Sequence, residues 1–460
     1  MALMKSISGI RGTIGGEPGN NLTPIDIVKF AAAYGSIMLK KNLGKKFVIG
    51  RDARMSGDMV SQLVTQTLIG LGAEVIDLGL STTPTVEMAV VFEKAAGGII
   101  LTASHNPKEW NALKLLNDKG EFISAEEGKQ VLTLAESEKI QFTSVDELGS
   151  ITKNDTSLQK HIDAILAHLF VKKSSIEKKK FKVVVDAINS SGAFAVPILL
   201  NQIGVTDIVV LNDAMHGNFV HNPEPLAEHL TELCSRVVSE KADLGIAVDP
   251  DVDRLCFVSE DGTLFGEEYT LVAVADYILK HKPGVAVSNL SSTRALRDIT
   301  LKYGGNYYAS AVGEVNVVTK MKEVNAVIGG EGNGGIIDPE LHYGRDALVG
   351  IALFLSHLSE TGLSASALRK TYPDYKMVKD KATLSPGTDM PSLLKKVGAS
   401  FPDALINTVD GLKMDFEHAW VHLRASNTEP IVRIYAEALE LSEAQQLVDR
   451  VKGVMGVAIS

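Results

Sequence analysis

Blocks of apolar and polar residues along the chain repeat one unit three times. The first copy runs from Phe47-Val48-Ile49 through the polar turn Gly50-Arg51-Asp52 into an amphipathic segment over 58–71, then Gly72 and Val75-Ile76. The second runs from Val183-Val184-Val185 through Asp186 and Asn189-Ser190-Ser191-Gly192 into a helical segment over 193–203, then Gly204 and Ile208-Val209-Val210. The third runs from Val285-Ala286-Val287 through Ser288-Asn289 and Ser291-Ser292-Thr293 into a segment over 294–303, then Gly304-Gly305 and Tyr307-Tyr308. Continuous β-branched runs ahead of a helix predict parallel strands buried on both faces. The glycine after each helix suits a C-terminal cap.

Each copy adds a further apolar strand that ends in a conspicuous loop. These are Gly98-Ile99-Ile100-Leu101 before Thr102-Ala103-Ser104-His105-Asn106-Pro107, Leu244 to Val248 before Asp249-Pro250-Asp251-Val252-Asp253-Arg254, and Ala326-Val327-Ile328 before Gly329 to Gly335. Ligand groups in open α/β sheets gather at the carboxyl ends of strands. Three chemically different loops in one equivalent frame therefore predict the walls of a shared cleft. The pattern breaks over 371–460, where Trp420-Val421-His422-Leu423 and Ile431 to Tyr435 flank a polar turn and a helix over about 442–455 follows, as in an α+β domain.

Composition narrows the class. At about 150 residues per domain, 460 residues predict three or four domains. The formal net charge of −10 makes a nucleic-acid or anionic-membrane partner a poor expectation. The lysine-rich stretch Lys172 to Lys180 carries no interleaved aromatics and reads as a solvated connector. Cys234 and Cys256 lack metal-site spacing, so a reducing, cytoplasmic setting is expected. No apolar run approaches the roughly 18 residues of a membrane span, and Met1 to Ser6 lacks a signal-peptide core. Nothing in the sequence points to an obligate protein partner.

The strongest chemical signal is Asp249, Asp251 and Asp253. Three carboxylates at alternate positions supply hard oxygens suited to Mg²⁺ or Ca²⁺ rather than zinc. An EF-hand is the competing pattern, and Glu260 falls at its twelfth position, but Arg254 stands where that loop requires glycine and the flanks are strand-like. Crowded carboxylates repel one another unless a cation balances them, and room left for phosphate favours Mg²⁺. Ser104 follows a buried strand, has His105 beside it and lies in no GxSxG elbow, which disfavours a serine hydrolase. Opposite a Mg²⁺ loop it suits phosphoryl chemistry, with His105 in support. Arg424, Ser426, Asn427 and Thr428 with Arg433 combine two guanidiniums with hydroxyl and amide groups, suited to a phosphate dianion. Glu331 and Asn333 in the glycine-rich loop offer acceptors and donors for sugar hydroxyls.

Taken in order, these loops resemble those of the α-D-phosphohexomutase family over nearly the whole chain. Thr102 to Pro107 is similar to its phosphoserine loop, Asp249 to Arg254 to its magnesium loop, Gly330 to Gly335 to its sugar loop and Arg424 to Pro430 to its phosphate loop. Lys114, Gly9 to Gly12 and Asn222 to Pro225 match further family segments. The resemblance implies three repeated α/β domains with mixed, largely parallel sheets plus a C-terminal α+β domain, heart-shaped around one cleft. Expected ranges are 1–152 for the phosphoserine domain, 153–256 for metal, 257–370 for sugar and 371–460 for phosphate. It further implies Mg²⁺ held by phosphorylated Ser104, Asp249, Asp251 and Asp253, and transfer of phosphate between O6 and O1 of a hexose phosphate through a 1,6-bisphosphate. Arg424, Ser426, Asn427, Thr428 and Arg433 would hold the phosphate that is not reacting. Glu331 and Asn333 would hold sugar hydroxyls, while Arg254, Arg11 and Lys114 neutralise developing charge.

The sugar loop departs from many members, with Asn333 and Gly335 where a serine and a histidine are common. Gly335 carries no proton, so Lys114 becomes the first candidate for general base, together with Arg11 or His105. The form of this loop, with Val312 to Val317, is similar to the phosphoglucosamine-mutase-like branch. Glucosamine 6-phosphate and glucosamine 1-phosphate are then the expected pair, and a dual phosphomannomutase/phosphoglucomutase is the alternative. A Mg²⁺-dependent phosphatase and a sugar-phosphate sensor are the readings from other classes. Water exclusion argues against the first, and the retained Ser104, three aspartates and Lys114 against the second.

Overall fold

The computed structural model describes residues 3–6, 9–137, 139–385, 387–425 and 431–456. The chain forms two compact units, Met1–Thr270 with Gly334–Ser366, and Leu271–Asn333 with Ala367–Ser460. Three α/β domains and a C-terminal domain are distributed over them. No helix among the described residues is long and apolar enough to cross a membrane.

Among the described residues, the three repeats share one strand order. In the first, Lys46–Arg51 is central and pairs in parallel with Glu74–Leu80 on one side and Gly97–Leu101 on the other. In the second, Lys182–Asp186 is flanked in parallel by Asp207–Leu211 and Leu244–Val248. In the third, Ala286–Asn289 is flanked in parallel by Tyr307–Ser310 and Ile328–Glu331. The strand that carries the chemical loop occupies the same place each time, so the equivalence read from the sequence is topological. Antiparallel additions make the sheets mixed: Trp110–Leu116, Gly9–Thr13 and Met4–Ser6 extend the first, and Leu255–Ser259 the second. A domain boundary at 256/257 would cut Leu255–Ser259, which pairs along its full length with Leu244–Val248. The second sheet therefore continues to Ser259.

The expected helices form within a residue or so, over Gly57–Gly70, Gly192–Ile203, Ala295–Lys302 and Leu441–Met455. Gly204 ends its helix at φ 101°, a left-handed conformation that only glycine adopts without strain. The lysine-rich stretch departs from expectation. Lys173–Lys179 is a short helix with Ile176 fully buried, closed by Lys180 at φ 51°. One buried isoleucine anchors a segment whose charges dominate its composition.

Within the first unit, the helix Ala347–Thr361 buries every residue from Ala347 to Leu358. An apolar stripe all round marks a helix enclosed by its neighbours. Phe354 stacks on Phe257 at 3.9 Å between ring centroids and meets Phe265 edge-on at 5.1 Å. This core lies under the hairpin that carries the three aspartates. In the second unit, the C-terminal sheet is antiparallel, in the order Lys376–Thr383, Ile431–Ala438, Trp420–Ala425, Leu412–Asp415, Leu405–Asn407. The helix Leu441–Met455 packs Leu447, Val448 and Val451 into the same cluster as Val421, Leu423, Val432 and Ile434.

Candidate active site

Ser104 leaves the carboxyl end of a fully buried strand and sits at φ 50°, left-handed for a residue that carries a Cβ. Its loop is built from the far side by Arg54, which is 1% exposed. Arg54 Nε donates to Asp52 Oδ2 at 3.0 Å, and its terminal nitrogens donate to the carbonyls of Ser104, Asn106, Pro107 and Trp110 at 2.5–2.9 Å. The same Asp52 oxygen accepts Thr102 Oγ1 at 2.6 Å, and Thr102 Oγ1 accepts the Ser104 amide at 2.9 Å. The hydroxyl of Ser104 is thereby turned to Asp249, donating to Oδ2 at 2.6 Å.

Asp249, Asp251 and Asp253 are all fully buried between the antiparallel strands Leu244–Val248 and Leu255–Ser259. Asp249 Oδ1 accepts the backbone N–H groups of Asp253 and Arg254 at 3.1 and 3.0 Å, which closes the loop on itself. Burial, with Asp251 and Asp253 adding repulsion, pushes the Asp249 carboxyl well above the usual carboxylate range. Asp253 goes the other way. Burial opposes its ionisation, but Arg345, Lys114 and Arg254 outweigh it and hold the carboxyl below its ordinary value.

Lys114, on Trp110–Leu116, reaches Asp251 Oδ2 at 2.6 Å and Asp253 Oδ2 at 3.1 Å. Burial favours its neutral form, but the two aspartates overcome that and raise the ammonium above its usual pKa. Lys114 is therefore held as a cation, and the expectation that it is the general base does not fit this geometry. His105 Nδ1 lies 3.4 Å from Ser104 Oγ. Burial, and then the charge of Arg254, push its pKa well down, so the imidazole is neutral. Arg254 donates to Glu224 Oε1 at 3.0 Å. Arg11 lies opposite Ala112 on the strand that borders Trp110–Leu116.

The donor set fits a divalent cation. The carboxylate oxygens of the three aspartates lie within 4.8 Å of one another. Asp251 Oδ1 and Asp253 Oδ1 are buried without a hydrogen-bond partner, although their second oxygens are fully engaged. A buried acceptor left unmade is costly, and these two aspartates, grouped with the Asp249 that takes the Ser104 hydroxyl, form an oxygen-only cradle.

Three contributors escaped the sequence reading. Arg345 donates to Asp253 Oδ2 at 2.7 Å, Thr83 Oγ1 donates to Asp251 Oδ2 at 2.5 Å, and Arg54 builds the serine loop. No spacing links these residues to the motifs they serve; only the closeness of Arg54 to Asp52 was available as a signal.

In the second unit, Glu331 Oε1 accepts Asn289 Nδ2 at 2.8 Å and the Gly313 amide at 3.0 Å, while Asn333 Nδ2 lies 3.5 Å from Glu331 Oε2. Arg424 and Arg433 face each other across the antiparallel pair Trp420–Ala425 and Ile431–Ala438. Like charges placed so repel, and Asp410 Oδ2 lies 2.7 Å from Arg424 Nε. Ser426, Asn427 and Thr428 lie outside the described residues.

Four family models match in chain order: Phosphoglucomutase/phosphomannomutase alpha/beta/alpha domain I over residues 4–141, domain II over 159–262, domain III over 266–375, and the C-terminal domain over 378–454. A Thermococcus kodakarensis protein named phosphoglucomutase/phosphomannomutase is 33% identical over 446 residues, with 96% of each chain covered. A Sulfurisphaera tokodaii protein named phosphoglucosamine/phosphogalactosamine mutase is 31% identical over 462 residues, with 99% of each chain covered. A solved structure of a phosphoglucomutase/phosphomannomutase family protein from Burkholderia thailandensis matches with a TM-score of 0.85 at 25% identity, covering 99% of this chain and 98% of that one.

Proposed function

This chain belongs to the phosphoglucomutase/phosphomannomutase family, isomerases of the α-D-phosphohexomutase type, and from that premise we propose that it interconverts hexose 6-phosphate and hexose 1-phosphate with Ser104 as phosphoryl carrier. The observation that carries this reading is the 2.6 Å contact of Ser104 Oγ with Asp249 inside a buried aspartate triad. In the forward direction the P–O bond to Ser104 breaks as a bond forms to the free sugar hydroxyl, whose proton passes in net to the Ser104 oxygen. The product of that step is a 1,6-bisphosphate, and return of its other phosphoryl group regenerates phosphoserine.

Asp249, Asp251, Asp253 and Ser104 would hold Mg²⁺, which the oxygen-only donor set favours over softer metals. Bound there, the ion would supply charge neutralisation and Lewis acidity at the transferring phosphoryl group. Arg54 and Thr102 aim the serine, and Arg254, Arg11 and Lys114 supply further positive charge. His105, neutral by burial, supports the serine as a hydrogen-bonding partner. Glu331 and Asn333 take sugar hydroxyls, while Arg424, Ser426, Asn427, Thr428 and Arg433 take the phosphate that is not reacting.

Glucosamine 6-phosphate is the favoured substrate. The Glu331 to Gly335 loop supports it, and so does the name of the Sulfurisphaera tokodaii relative. The name of the Thermococcus kodakarensis relative favours the second reading, a dual phosphomannomutase/phosphoglucomutase. Turnover followed by ³¹P NMR, with Mg²⁺ and a priming 1,6-bisphosphate, tests both on glucosamine, glucose and mannose 6-phosphates. Preference for the amino sugar supports the first reading. Equal or faster rates with glucose and mannose support the second, and inorganic phosphate released without a 1-phosphate would refute a mutase.

A further inference from the structure

The first unit contains a second convergence of ligating atoms, on residues that the aspartate site does not use. His161 Nε2 lies 2.9 Å from Asp346 Oδ2, and His342 Nε2 lies 3.4 Å from the same oxygen. The three ligand atoms fall within 4.8 Å of one another. The two imidazoles stand at 90°, their centroids 6.2 Å apart, so they do not stack. We propose that His161, His342 and Asp346 form a binding site for a zinc-type transition-metal ion, separate from the aspartate triad.

The surroundings carry the argument further than three nearby side chains would. Two of the three ligands are fixed by hydrogen bonds on their far side. His161 Nδ1 meets Thr85 Oγ1 at 3.0 Å, while Glu87 Oε2 approaches His342 Nδ1 to 3.5 Å without a hydrogen bond between them. Asp346 Oδ1 accepts the Leu348 and Val349 amides at 2.8 and 3.3 Å as the cap of Ala347–Thr361, which leaves Oδ2 for the cluster. Outer contacts of this kind orient metal ligands and set the imidazole tautomer. An ion at the two Nε2 atoms leaves Nδ1–H groups facing Thr85 Oγ1 and the Glu87 carboxylate, both competent acceptors. Without an ion, Asp346 Oδ2 is the shared acceptor for whichever ring carries its proton on Nε2.

Donor type separates the two sites. Two imidazole nitrogens and one carboxylate are borderline ligands suited to Zn²⁺, whereas the aspartate triad offers oxygen alone. The side chains of His161 and Asp346 are fully buried and that of His342 is 10% exposed, so a fourth position would face outward beside His342. The ion would tie the helix Ser157–Ala167 to the turn that enters Ala347–Thr361, beside the helix Thr83–Phe92. Arg345, which touches Asp253, sits on the tied turn, and Thr83, which touches Asp251, on the helix beside it.

The test uses the full chain, stripped by chelator, loaded with Zn²⁺ under excess Mg²⁺, desalted and assayed for metal. Expected are one zinc ion per chain in wild type and in Asp251→Asn, and its loss in His161→Gln and His342→Gln. Loading with Co²⁺ should give the visible bands of a four-coordinate nitrogen–oxygen site in wild type and not in His342→Gln. Zinc at background in wild type, or equal zinc in wild type and His342→Gln, overturns the site and leaves a hydrogen-bonded His–Asp–His cluster.

Discussion

Arg54 Nη2 donates to the carbonyl of Ser104 at 2.5 Å, from a guanidinium whose five N–H bonds are all spent on Asp52 and the serine loop. The hydroxyl of Ser104 points one way, to Asp249, and its carbonyl the other, to Arg54. A left-handed serine is held in place by neighbours rather than by its own preference.

Arg54→Lys keeps the charge and loses the fork, because an ammonium cannot hold four carbonyls and a carboxylate in that geometry. Expected is a fall in kcat of about 10²-fold with KM little changed, since misplacement acts on the reacting group rather than on substrate binding. Steady-state kinetics on Arg54→Lys decides this. Wild-type kcat would show that the loop holds its shape without Arg54.

Asp251→Asn removes one of the two carboxylates whose free oxygens complete the cradle. Wild type should gain thermal stability on adding Mg²⁺ and lose both the gain and its turnover on chelation. The variant should show no such gain, with turnover down by about 10²–10⁴-fold. Scanning calorimetry with and without Mg²⁺ checks it, and an undiminished Mg²⁺ shift in the variant would remove Asp251 from the site.

Acid should act through His422. Burial, with Lys413 adding to it against the carbonyl of Asp410, lowers its pKa to about 4. In the fold Nε2 donates to the Asp410 carbonyl at 2.6 Å, and Nδ1 lies 2.9 Å from Ser291 Oγ, which donates to it when the ring is neutral. Above pH 6.5 folded and unfolded chains bind the same protons here, so there is no effect. As pH falls from 6.5 to about 4 only the unfolded chain is protonated, and stability drops by up to roughly 3 kcal/mol. Urea midpoints across that window should fall less in His422→Gln; parallel curves would assign the acid loss elsewhere.

Gly334 sits at φ 85°, and a Cβ there would lie 2.1 Å from the Leu255 carbonyl. Its own carbonyl accepts the Leu255 amide at 3.1 Å, close against the aspartate hairpin. Gly334→Ala should cost at least about 1–3 kcal/mol, read as a lowered melting temperature. An unchanged melt would show that the hairpin yields.

The repeats were legible because β-branched strands and glycine-capped helices are local signals. The three loops were legible because each follows directly from such a strand. Arg345, Thr83 and Arg54 were not, since they reach the site by folding rather than by spacing. Lys114 was found as a site residue but read as a base; only the two carboxylates beside it show why it stays charged. Ile176 inside a run of lysines gave no periodicity, so its short helix was missed.

The central claim is that Ser104 carries the phosphoryl group. Hexose 1,6-bisphosphate labelled with ³²P, mixed with the Mg²⁺-loaded protein, should leave acid-stable label on the peptide that contains Ser104, and unlabelled hexose 6-phosphate should chase it into sugar. Ser104→Ala should take up no label and turn over no substrate. Label on another residue, or wild-type turnover in Ser104→Ala, would contradict the account.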